Sequence, residues 1–61
     1  MYYRFYFVGD DNRIRHAVNL DCEDDAKAIE AAEAIDRQAF AAELWEKGRL
    51  VKKFPPRPVE A

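Results

Sequence analysis

The sequence predicts an α+β fold of order ββαββ, a four-stranded antiparallel sheet with one helix on one face. Three features carry that expectation: an aromatic opening, an acid-led alanine-rich middle, and two short apolar runs flanking Glu46-Lys47-Gly48. At 61 residues there is room for one domain, expected over residues 1–54, with a Pro-rich disordered tail at 55–61.

Tyr2-Tyr3-Arg4-Phe5-Tyr6-Phe7-Val8 places five aromatics in positions 2–7, and aromatic side chains favour a pleated, packed surface. This is the first strand. Gly9-Asp10-Asp11-Asn12 supplies residues that tolerate left-handed or locally hydrogen-bonded backbone, so a hairpin follows. Ile14, His16, Val18 and Leu20 alternate with Arg13, Arg15, Ala17 and Asn19, the period of two of a strand with one buried face. Glu23, Asp24 and Asp25 precede an alanine-rich run and suit the positive end of a helix, with Asp24 as the N-cap. At 100° per residue Ala28, Ala32, Ile35 and Ala39 share one narrow apolar stripe.

Residues 39–48 are the contested stretch, because local propensity would carry the helix on to a cap at Gly48. Continuing the helical projection, however, leaves Phe40, Leu44 and Trp45 off the stripe and facing solvent. A break between residues 36 and 41 is therefore expected. Residues 41–46 then pair with Arg49–Phe54 through a tight turn, with Gly48 in the left-handed position of a type I turn plus bulge. Pro55, Pro56 and Pro58 cannot continue a ladder.

Tyr3-Arg4-Phe5-Tyr6-Phe7, the Asp24-Asp25-x-x-Ala28-Ile29 helix opening and Ala42-Glu43-Leu44-Trp45 with Arg49-x-Val51 together form a pattern. On these motifs residues 2–54 resemble a group of short, chiefly alphaproteobacterial proteins sharing a domain of unknown function. The resemblance implies the ββαββ order and a strand at Leu44-Trp45, and the group has no established activity to carry over. A looser likeness, in strand order and helix opening, is to the HicB-type antitoxin domain. The chain departs from that domain in lacking its third strand before the helix and any separate DNA-binding segment.

Catalysis is not expected. The sequence contains no Ser, no Thr and no Gly-rich phosphate loop, and Cys22 and His16 are the only residues of their types. Neither a disulfide within the chain nor a zinc site can be assembled from them, and no cofactor is expected. His16 falls in the apolar alternation and reads as a packed residue, and Cys22 lacks a neighbouring base and reads as structural. Trp45 reads as a core or interface residue. The acid pairs Asp10-Asp11 and Asp24-Asp25 read as turn and cap residues. Residues 52–58 match a basic-x-x-Pro-x-x-Pro pattern, a weak signal in a short tail. No run approaches a membrane span and residues 1–8 are too short for a signal peptide, so the chain reads as a cytoplasmic protein near full length.

The functional expectation comes from the first strand. Its side chains alternate between faces, so while Tyr3, Phe5 and Phe7 pack under the helix, Tyr2, Arg4, Tyr6 and Val8 must point away. One helix covers one face, and a domain this small buries only about 60% of the surface its unfolded chain exposes. Tyr2, Arg4, Tyr6 and Val8 are therefore the expected interface of a homo-oligomer, with a dimer the simplest form and another protein the other candidate partner. The alternative is a small single-stranded nucleic-acid-binding protein, with bases stacked on the sheet aromatics and phosphates held by Arg49, Lys52, Lys53 and Arg57. Charge gives it limited support: residues 47–61 hold five bases against one acid, residues 23–46 eight acids against two bases. A basic end beside an acidic helix is more economically read as internal or intersubunit charge matching, which argues against a nucleic-acid partner.

Overall fold

In a computed structural model that describes residues 1–36 and 39–56, the aromatic opening forms β1 (Tyr2–Val8) and the alternating segment β2 (Ile14–Asp21). Next come α1 (Asp25–Ala34), β3 (Ala41–Glu46) and β4 (Arg49–Phe54). The sheet order is β2-β1-β3-β4, with every neighbouring pair antiparallel. β1 is thus an inner strand, and β2 and β3 run in the same direction on either side of it. The segment joining β2 to β3, which contains α1, has to pass over β1. The tail expected from residue 55 is described only at Pro55 and Pro56, and residues 57–61 lie outside the described residues.

The core forms where the two apolar periods meet. Tyr3, Phe5 and Phe7 of β1, Ala42 and Leu44 of β3, and Phe54 of β4 are buried against Ala28 and Ala32 of α1. The helix contributes small side chains and the sheet large ones, so the helix can sit close while the rings fill the space beneath it. Phe5 is central: its ring lies 5.3 Å from Phe7 and 5.4 Å from Phe54, both edge to face.

Asp24 caps α1 as expected, its side chain accepting a hydrogen bond from the Lys27 backbone N–H at 2.9 Å. The helix is shorter than its apolar stripe. Ile35 turns to extended backbone (φ −79°, ψ 129°) while its N–H still donates to the Ala32 carbonyl at 3.1 Å. Ala39 therefore lies beyond the helix, and the chain is free to re-enter the sheet as β3. Leu44, fully buried in that strand, would have faced water on a continuous helix.

Both hairpins form, and the second differs from expectation in its turn type. Asn12 N–H donates to the Gly9 carbonyl (2.9 Å) and Gly9 N–H to the Arg13 carbonyl (2.8 Å), while Asn12 has φ 63°. A three-residue loop with a left-handed last residue thus closes the first hairpin. The second is a two-residue turn in which both Lys47 (φ 50°) and Gly48 (φ 79°) are left-handed, the type I′ pattern. The type I turn plus bulge expected there is therefore replaced. A bulge does occur nearby, between Leu44 and Trp45, and leaves Val51 as the extra residue of β4. A second register shift, between Phe7 and Val8, leaves Arg15 unpaired in β2. It breaks the alternation at Ile14, which is 59% exposed and sits opposite Val8 instead of joining the helix-side row. His16, expected to be packed, is exposed at the rim, its ring 5.5 Å from Phe7.

Candidate functional site

The face of the sheet opposite α1 follows from the register. Arg4 sits across from Asn19 on one side and Trp45 on the other, and Trp45 in turn across from Leu50. The next row is Ala17, Tyr6, Glu43 and Lys53. Tyr2 and Val8 extend β1 at either end, Val8 beside Ala41. All of these side chains share one face, because residues directly opposite in a ladder project to the same side. Tyr2, Arg4, Tyr6 and Val8, the four expected interface residues, are thus brought together on the helix-free side.

Exposure varies along this face. Tyr2 is 75% exposed and Leu50 39%, while Tyr6, Val8, Ala41, Glu43 and Trp45 are half-buried by one another. Trp45 donates its indole N–H to Glu43 Oε1 at 3.0 Å, which ties the two side chains together along β3. Arg4 is exposed and takes no part in the hydrogen bonds or ion pairs found among the described residues. Arg4 beside Trp45 in one row and Tyr6 beside Glu43 in the next therefore form a checkerboard of charge and ring across two adjacent strands. A cavity of about 310 Å³ opens at one end of the face, lined by Val8, Ala41, Glu43, Lys53 and Pro55 among others. It brings together one carboxylate and one ammonium group.

The residues singled out for nucleic acid are dispersed. Arg49 faces the helix side, where it donates to both carboxylate oxygens of Asp25 (3.0 and 3.1 Å) and to Glu46 (3.2 Å). Lys52 also lies on the helix side, with Nζ 5.3 Å from the Phe54 ring centre. Lys53 alone joins the aromatic face, beside Glu43. Arg57 lies outside the described residues. A phosphate-tracking groove needs cations in line with the stacking rings, and Arg49, Lys52 and Lys53 do not form one.

Two groups of residues were not assembled from the sequence. Glu43 and Leu50 join Trp45, read as a core or interface residue, on the helix-free face, a placement that only the pairing of β3 with β1 and β4 creates. The other group is the cluster of Asp25, Tyr3 and Arg49, which ties the first turn of α1 to the starts of β1 and β4. Tyr3 O–H donates to Asp25 Oδ1 at 2.8 Å. Burial, reinforced by the hydrogen bond to Asp25, pushes the Tyr3 phenol up to about 12. Bonds from Arg49 and then Tyr3 hold the Asp25 carboxyl below its ordinary value of 3.8, and Asp25 and Glu46 raise the Arg49 guanidinium. Arg49 is 24 residues from Asp25, so no local spacing announces the contact. The cluster is satisfied internally and reads as a structural clasp.

Cys22 is a half-buried free thiol. Among the described residues no group of three or more His, Cys, Asp or Glu side chains is placed to hold a metal ion, and no helix is long and apolar enough to cross a membrane. No protein-family model matches the chain, and no match was found among curated proteins or solved structures.

Proposed function

We propose that the protein is a non-catalytic interaction module that works as a homodimer in the cytoplasm, with the helix-free face as its contact surface. The observation that carries this reading is the concentration of Tyr2, Tyr6, Val8, Trp45 and Leu50 on the sheet face that, among the described residues, no helix covers. Fully burying a large apolar side chain is worth about 1.5–3 kcal/mol, a large increment for a chain of this size. A second copy brings an equal apolar area, and a two-fold axis lets complementary groups on this face meet one another. Four strands about 4.8 Å apart and about 20 Å long give a flat projection of about 400 Å² per copy. Side-chain relief raises the total for two copies toward the roughly 1,000 Å² at which specific interfaces begin.

Sedimentation velocity between 1 and 100 µM tests the reading. A dimer is expected within that range, and a monomer throughout overturns it. Tyr2→Glu, at a position too exposed to affect folding, and Tyr6→Glu, with its fold checked by far-UV circular dichroism, are both expected to give monomers. A dimer that survives both changes would use a strand edge instead, and the helix-free face would lose its role.

A further inference from the structure

Resting on the dimer reading, we infer that the two copies stack about a two-fold axis parallel to the strands and lying between β1 and β3, so that Arg4 of each copy covers the partner's Trp45 and pairs with the partner's Glu43. The occupant of the face is thus a second copy in one defined register.

Symmetry supplies the first step. In a two-fold interface, if residue i meets the partner's residue j, then j meets the partner's i, so a self-matching face needs complementary groups related by the axis. Here the cation is on β1 and the anion on β3, adjacent strands at the centre of the sheet. An axis between them superposes β1 of one copy on β3 of the other, and stacked sheets keep their strands within about 30° of alignment. Arg4, registered with Trp45 within one chain, then faces the partner's Trp45, and Tyr6, registered with Glu43, faces the partner's Glu43.

Chemistry supplies the second. Arg4 makes none of the hydrogen bonds or ion pairs found among the described residues, so it enters the interface with its guanidinium uncommitted. Glu43 is held by the indole N–H through Oε1 at 3.0 Å, which leaves Oε2 to accept from a cation or from a phenol. A guanidinium over an indole face gains from the ring quadrupole, most of all once water is excluded. In this register each Arg4 meets that ring and a carboxylate, and each Tyr6 hydroxyl meets a carboxylate. The stack therefore sets the charges of its two central strands, Arg4 and Glu43, against each other, while Lys53 of β4 lies toward the edge beside its own Glu43.

Charge reversal tests the register separately from the dimer. Arg4→Glu and Glu43→Arg are each expected to weaken self-association at least tenfold, because each places like charges at residues 4 and 43 across the axis. An equimolar mixture of the two variants is expected to give heterodimers by native mass spectrometry, since residue 4 of each variant then meets its opposite charge in the other. The double variant, R4E with E43R, is expected to dimerise again. Wild-type dimers combined with no heterodimer in the mixture would overturn this register while leaving the dimer standing. Wild type that stays monomeric would overturn the dimer reading on which the register rests.

Discussion

Tyr3 shows how one hydroxyl adds a pH response to a core ring. The ring is almost fully buried beneath the helix, yet its hydroxyl reaches the edge of the core and donates to Asp25, which Arg49 grips from the far side. A phenol raised from 10.0 to about 12 on folding binds its proton more tightly in the folded state. Its contribution is complete below pH 10 and is lost as pH rises toward 12. Urea midpoints followed by Trp45 fluorescence are expected to fall across that window in the wild type and to flatten in Tyr3→Phe. Asp25 acts at the opposite end of the scale. Its carboxyl is lowered from 3.8, so its contribution is complete above that pH and lost as pH falls below it. Asp25→Asn is expected to lower the Tm at pH 7 by less than truncation of Phe5 does, and to reduce the acid-side fall in midpoint relative to the wild type.

Elements were legible to the extent that their signals were local. The alternation in β1, the acids ahead of α1 and the dead end of a continued helix at Leu44 all sit within a few residues of what they determine, and those elements form as expected, save that α1 ends at Ala34, ahead of the expected break. Turn type was not, because it depends on how strand registers meet. Lys47-Gly48 became a two-residue turn once the bulge at Val51 absorbed the residue that the turn would otherwise have held. The helix-free face is half legible for the same reason. Tyr2, Arg4, Tyr6 and Val8 follow from strand period alone, whereas Trp45, Glu43 and Leu50 join them only through long-range pairing. The turn makes its own prediction. Lys47 holds a left-handed backbone that costs a non-glycine residue about 1 kcal/mol, and asparagine adopts it more readily. Lys47→Asn is expected to stabilise the protein by about 0.5–1 kcal/mol in thermal melts. Gly48→Ala meets no atom within 4 Å of the added methyl, so its expected loss of about 1–2 kcal/mol is backbone strain alone. Removal of the helix cap in Asp24→Ala is expected to cost about 1 kcal/mol.

For the molecule as a whole, size and assembly are linked. At about 0.05–0.15 kcal/mol per residue, a chain of 61 residues has roughly 3–9 kcal/mol of stability. Losing a core ring such as Phe5 to alanine costs about 3–5 kcal/mol, so that change alone approaches the whole margin. Covering the helix-free face in a dimer works in the other direction. Whatever binds only the folded chain stabilises it by mass action, and here the bound species is the chain itself. The Tm of the wild type is therefore expected to rise with protein concentration, by several degrees between 1 and 100 µM. Each kcal/mol shifts Tm by about 4–8 °C in a domain near this size. Tyr6→Glu, which leaves the helix-side core untouched, is expected to show a Tm independent of concentration and close to that of dilute wild type. Calorimetry on both proteins across that range separates the cases. A wild-type Tm that ignores concentration would mean that the folded chain gains nothing from a second copy, and that its aromatic face is stable in water unaided.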